Sequence, residues 1–362
     1  MTVGRDIAAL TSAFAVGIIT AGFIPCFGTA LISTSLITTA LLALSFHIYS
    51  HKEKQDILPH ALPLFLLTGM ICCISDTCRD FGTAATVPGF ASVLCENFKS
   101  MIENTGFENP ETIALIKALL TGDRSSLSEA MTSTFRMSGA SHILALSGLH
   151  LGIIYGFISK VLSLLGRNAV FLKIRGGIII SICGIYTLAT GAGESIVRAF
   201  LFIMLNEVAK VSGRSNDIRQ ILPAAMLIQL SADPSSIRSV SFQLSYSAMA
   251  GIAYILPFFK NIWPKEDAQG KSGIIKRIWD SASVSIACQI STFPFAWIYF
   301  RSFPVNFLIS NLLGIPLSCI AIPAAALTVI LSHVGICPEI LISFTEALFS
   351  ALTVSLEIIS GF

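Results

Sequence analysis

The run His142-Ile-Leu-Ala-Leu-Ser147-Gly-Leu-His150-Leu-Gly152 gathers two imidazoles, a hydroxyl and two glycines in an otherwise apolar stretch. A serine and a histidine three residues apart can share a proton, so an intramembrane hydrolase using Ser147 and His150 is one reading. It lacks an evident orienting third group and an oxyanion site. The other reading is a polar wall without chemistry of its own. On one continuous helix His150 falls about 80° and Ser147 about 140° from His142, which gathers the three on one side. Gly148 and Gly152 fall on the other side, where a neighbouring helix can pack closely.

The elements that carry these residues must lie in lipid. Of 362 residues, 12% are charged and 54% hydrophobic, and the mean hydropathy is +0.78, whereas soluble domains run near ~25% charged. Apolar runs close to the roughly 20 residues that span a bilayer recur at 7–27, 29–48, 58–75, 143–165, 176–192, 195–211, 218–232, 240–259, 279–300, 305–332 and 339–359. The pattern predicts an all-α, polytopic transmembrane bundle of about ten or eleven hydrophobic helices. The first run lacks a strong basic region before it, so it reads as a retained helix rather than a cleaved signal.

Basic residues set the orientation. With the N-terminus cytoplasmic, Arg5, Lys52, Lys54, Arg167, Lys173, Arg175, Lys210, Arg214, Arg219 and the loop 260–277 fall on the cytoplasmic side, and few fall opposite. The chain then divides into N-terminal transmembrane helices (1–75), a non-cytoplasmic amphipathic helical segment (76–141) and a transmembrane core (142–362). Glu346 and Glu357 make the last helix partly amphipathic, so it either crosses or lies at the interface. The middle segment holds five basic and eight acidic residues, which gives it no phosphate-attracting field.

Most of the nine cysteines sit inside apolar runs as packing residues. Cys78 and Cys95 fall outside the membrane, where a disulfide is chemically allowed. No CxxC pair, HExxH or HxH spacing occurs, so neither a metal site nor a cofactor is expected.

Further polar positions interrupt the later runs. Glu194 and Arg198 are four apart at a helix start and can pair. Gly191 and Gly193 before them permit a sharp turn or an unwound segment, a backbone hinge. Gln243 and Ser247 share a helix face and either join helices or line a path. Asn311, followed by Gly314, Pro316 and Pro323, predicts a kinked or broken helix with Pro316 as its hinge.

Taken together, HILALSGLHLG, the preceding Leu120-Thr-Gly-Asp-Arg124 and Phe135-Arg-Met-Ser-Gly139, Gly193-Glu-Ser-Ile-Val-Arg-Ala199, Asp233-Pro234 with Ser241-Phe-Gln-Leu-Ser245, and Phe303-Pro304 with Asn311-Leu-Leu-Gly-Ile-Pro316 resemble the membrane core of the ComEC/Rec2 competence family. That resemblance implies a channel conducting single-stranded DNA through a bacterial cytoplasmic (inner) membrane during natural transformation. His142, Ser147, His150, Glu194, Arg198, Gln243 and Asn311 would line or gate the path. Longer relatives add OB-like and metallo-β-lactamase-like domains, recognisable in neither 76–90 nor after Phe362. Capture and nuclease steps would then fall to separate proteins, or the chain is a fragment. No GxxxxGK[ST] motif is present, so a cytoplasmic motor or strand-binding protein would have to pull. A small-solute or ion-coupled transporter on the same scaffold is the alternative to a DNA conduit.

Overall fold

The computed structural model describes residues 2–21, 58–79, 89–164, 166, 169–214, 216–262, 273–301 and 306–361. The expected helix at 29–48 and residues 263–272 of the basic loop lie outside the described residues. All regular structure among them is helical, as the hydropathy predicts.

In chain order the helices are α1 (Thr2–Ala21), α2 (Leu58–Arg79), α3 (Gly89–Glu103), α4 (Pro110–Thr121), α5 (Glu129–Met137), α6 (Ser141–Leu144), α7 (Gly148–Ser163), α8 (Ala169–Ala189), α9 (Glu194–Val211) and α10 (Ile218–Ala232). A 3-10 turn (Pro234–Arg238) leads to α11 (Val240–Ala250), a π turn (Gly251–Ile255) and α12 (Leu256–Ile262). Then come α13 (Ile274–Phe300), α14 (Phe307–His333) and α15 (Glu339–Ser360). Among the described residues five stretches are long and apolar enough to cross a membrane: Val170–Ala189, Val240–Ile262, Ile275–Phe300, Phe307–His333 and Glu339–Ser360. The protein is a membrane protein.

Two units are distinct. The first holds α1, α2, α10, the 3-10 turn and α11 as far as Tyr246. In it α1 packs along both α2 and α10. Gly17 and Gly69 bring the α1 and α2 backbones together: a methyl at Gly69 would stand 3.2 Å from the Phe14 Cα and closer still to its carbonyl. The buried Thr11 hydroxyl donates to the Pro223 carbonyl at 3.1 Å and so ties α1 to α10.

The second unit holds α3 to α9 and everything after Tyr246. Asn109 caps α4, accepting from the Glu111 amide at 2.9 Å, and Pro110 takes the first helical position, where a missing N–H costs nothing. Gly122 ends it in the left-handed conformation (φ 81°), which only glycine adopts without strain. Nearly every side chain of α4 from Thr112 to Thr121 is buried. Its neighbours are α3, α14 and α15, with Ile116, Leu119, Phe135, Ile322, Val329 and Phe349 in one core. The helices of the segment before residue 142 read from sequence as resting on the membrane surface or at a channel mouth. From Phe98 onward the structure packs their buried side chains into the same core as the last two helices, because α4 is apolar around most of its circumference.

Glu346 is explained by the same packing. Its Oε1 accepts the Glu108 and Asn109 amides at 2.7 and 3.1 Å, so the acidic residue of α15 secures the entry to α4. α15 packs along α14, as a spanning helix does.

Charges brace the outer helices. Lys117 Nζ lies 2.6 Å from Glu103 Oε1, and Lys99 Nζ lies 3.0 Å from both Glu96 and Asp123. Hydrogen bonds from Ser125, then from Lys99, hold the Asp123 carboxyl well below the usual carboxylate range. Its contribution to stability is therefore present above the ordinary value near about 3.9 and lost as pH falls through the lower folded one. Hydrogen bonds to Glu96 and Asp123 raise the Lys99 ammonium, so its contribution persists below about 10.4 and is lost as pH rises through the folded value. Asp123→Asn keeps an acceptor for Ser125 and removes the charged partner of Lys99. At neutral pH it should weaken the α3–α4 contact by about 1 kcal/mol, visible as faster amide exchange in α3. Unchanged exchange there would show that the pair contributes nothing.

Candidate transport site at a helix break

The helix expected over 143–165 is two pieces. α6 ends at Leu144, Ala145 is extended (φ −73°, ψ 124°), and Ser147 (φ −131°, ψ 174°) caps α7. The Ser147 hydroxyl accepts the Leu149 amide at 3.2 Å. In return the Ser147 amide donates to Nδ1 of His150 at 3.2 Å, so histidine occupies the place of glutamate in a capping box. His142, Ser147 and His150 thus do not follow one helical face. The hydroxyl offers the backbone a partner outside the helix, and apolar periodicity running through the break conceals it.

The break fixes the bonding of these side chains. Accepting at Nδ1 places the ring proton of neutral His150 on Nε2, which is buried without a formed hydrogen bond. The Ser147 hydroxyl lies 3.4 Å from an Nδ1 already accepting a backbone N–H. Among the described hydrogen bonds and ion pairs no carboxylate orients the ring in the way a serine nucleophile's relay uses one. His142 is exposed, and it approaches the Asn311 amide and the Gly139 carbonyl.

α14 supports the break from behind. The Ser310 hydroxyl donates to the Ser138 carbonyl, Asn311 Nδ2 donates to Ser285 Oγ on α13 at 3.4 Å, and a methyl at Gly314 would stand 2.8 Å from Ile143 Cδ1. α14 runs unbroken through Pro316 and Pro323, so a break there is corrected. The interruption lies instead on its partner segment.

A second interruption precedes α9. Gly191 (φ 79°) and Ala192 (φ 50°) are both left-handed, and Gly193 caps α9 in an extended conformation. Glu194 and Arg198 pair at 3.5 Å, the carboxylate side chain 57% exposed and the guanidinium side chain 2%. Gly148 packs against this helix, where a methyl would meet the Ala199 Cβ at 3.2 Å. Gly148 thus lies in close contact with α9, whereas a methyl at Gly152 would meet nothing within 4 Å.

Five of the polar positions read from sequence thus lie at or beside the two interruptions: His142, Ser147, His150, Glu194 and Arg198. Asn311 reaches the first of them. Gln243 belongs to the other unit, where its amide donates to the Ile237 carbonyl at 3.0 Å and holds the 3-10 turn. Cys95 is a free thiol, raised above its ordinary range chiefly by burial, and the side chain of Cys78 lies outside the described residues. Sequence reading missed Ser310 and Ser285, whose hydroxyls look like helix filler until their partners are placed. It also missed Arg124, which lies within electrostatic range of His150. Among the described residues no three His, Cys, Asp or Glu side chains converge as metal ligands.

The two interruptions and the α14 face all fall within residues 119–362, the span matched by the family model described as Competence protein. The chain belongs to the Competence protein family. It is 23% identical over 308 residues to ComE operon protein 3 of Bacillus subtilis (strain 168), which covers 76% of this chain and 36% of that protein. The chain thus spans about a third of that relative's length, and the ComEC/Rec2 resemblance of its motifs holds. No solved structure matches it. Within the Competence span both interruptions and Asn311 belong to the second unit, while Gln243 belongs to the first.

Proposed function

We propose that this chain is the membrane core of a DNA-uptake system and conducts a single strand across the cytoplasmic membrane. The observation that carries the reading is the break at Ala145–Ser147. α7 has 16 residues, about 24 Å of helix, against about 30 Å of hydrocarbon. Irregular backbone at that depth is tolerated only when buried in protein or lining a water-filled cavity. The exposed His142 favours the cavity.

A polyanion crossing this region needs donors to replace its water. His142, the Asn311 amide, Arg198 and the start of α7 are the donors closest to the two interruptions. A cytoplasmic motor or strand-binding protein would pull, separate proteins would capture and trim the strand, and the N-terminus would face the cytoplasm.

The test is passage of labelled single strands into vesicles holding the protein and its partners, beside small solutes. Arg198→Gln should lower strand passage about tenfold, equivalent to about 1.4 kcal/mol of barrier, with the amount of inserted protein unchanged. Equal loss of protein and passage would reduce Arg198 to a folding role, and passage of solutes without DNA would overturn the conduit.

A further inference from the structure

Below the interruptions, α7, α8 and α9 enclose a second polar cluster, which the conduit does not use. Glu207 on α9 is fully buried. Its Oε1 accepts the Tyr155 hydroxyl and the Lys210 ammonium, both at 2.7 Å. Lys210 also donates to the Tyr155 oxygen at 2.7 Å, and Asn206 Nδ2 donates to it at 3.0 Å. The other oxygen of Glu207, Oε2, is buried with no hydrogen bond. Leaving a charged acceptor buried without a donor costs more than about 1–3 kcal/mol, the figure for a neutral group.

We propose that Glu207 is a proton-binding site, its Oε2 the atom protonated, with Tyr155 and Lys210 holding its other oxygen and Lys210 marking the edge nearest the surface. The groups around it are few. α7 contributes Tyr155, α9 contributes Asn206 and Lys210, and α8 contributes the Cys183 thiol within electrostatic range. The α8 backbone at Gly176 closes over the carboxylate, where a methyl would stand 3.9 Å from Oε2. Arg175, beside Gly176, keeps its Nε buried. The Lys210 side chain, 26% exposed, is the edge of the cluster that reaches the surface.

The ligand is a proton rather than a metal ion because the Lys210 ammonium already fills the cation position beside Oε1. One carboxylate with a lysine against it also offers too few free oxygens for calcium or magnesium. In the step, a hydronium ion at the Lys210 edge gives up one proton: its O–H bond breaks, leaving water, and one O–H bond forms at Oε2. Glu207 becomes neutral and Lys210 keeps its charge. The site lies nine residues beyond Arg198, about 13 Å along α9, so one helix would carry the strand-facing pair and the proton site.

The experiment is infrared difference spectroscopy of the full chain in lipid vesicles, recorded as the pH is lowered stepwise. A protonated carboxyl C=O band should appear on acidification in the wild type and vanish from Glu207→Gln. Lys210→Gln removes the neighbouring cation, which favours the ionised carboxylate, and should let the band persist to a higher pH than in the wild type. Tyr155→Phe should also move the pH of its appearance while leaving the band present. If Glu207→Gln inserts poorly, the Lys210 and Tyr155 shifts decide by themselves. A wild-type spectrum without the band, a band surviving Glu207→Gln, or a band indifferent to both other substitutions would make the cluster a static tether and overturn the proposal. None of these outcomes depends on whether DNA is the cargo.

Discussion

His150→Ala should cost the protein about 3 kcal/mol, several times the loss from substituting a typical surface residue. Two separable terms add. Removing the imidazole takes away the acceptor that receives the Ser147 amide, worth about 1 kcal/mol for a helix cap. It also empties a site that is wholly buried between the break and its surroundings, and truncating a large buried side chain to alanine costs roughly 2–3 kcal/mol more. Thermal unfolding in detergent, compared with Ser147→Ala at about 1 kcal/mol, gives the measurement. His150→Gln supplies the control, since its carbonyl oxygen can accept the same amide without an imidazole. If the glutamine variant recovers stability and strand passage together, His150 acts by holding the break. If it recovers stability alone, the ring itself takes part in passage.

The second large effect lies in the first unit. Gly69→Val should separate α1 from α2 and cost 3 kcal/mol or more, at the upper end of what overpacking does. The added carbon would meet the Phe14 backbone, not the tip of a mobile side chain, so no rotamer change can relieve it. Small residues let membrane helices approach in this way because dispersion between close backbones drives association where lipid is as apolar as the helix itself. Cross-linking between cysteines placed on α1 and α2 should fall sharply in the variant, and unaltered cross-linking would show that the helices tolerate wider spacing.

Hydropathy made most of the apolar helices legible, since the cost of unsatisfied backbone in lipid leaves helices as the route for such segments. α10 begins and ends where its apolar run does, and α9 differs by one residue at its start. The readings fail where charge and depth part company. α8 begins at Ala169, before Lys173 and Arg175, and α13 begins at Ile274, before Lys276 and Arg277. Both helices continue into the basic flank, which a hydrophobicity reading truncates. The break at Ala145–Ser147 was invisible for the opposite reason: its residues are apolar enough to continue a helix, and only the Ser147–His150 exchange diverts them. The motif was thus legible as a special place before its geometry was. The Glu207 cluster left a fainter trace, a glutamate three residues before a lysine at the end of a helix, which is ordinary on a surface and becomes unusual only when burial is known.

The enclosure of α4 bears on how the chain is made. Its entry is fastened to Glu346, 238 residues later in sequence from Glu108, and its apolar faces rest on α14 and α15. At about 5–20 residues per second of synthesis, α4 waits on the order of ten seconds or more for the helices that cover it. Until then its aliphatic side chains must be sheltered by lipid or by a helper protein. Any ribosomal product ending before α14 would leave that helix stranded, and its premature degradation would report that the wait had gone unanswered.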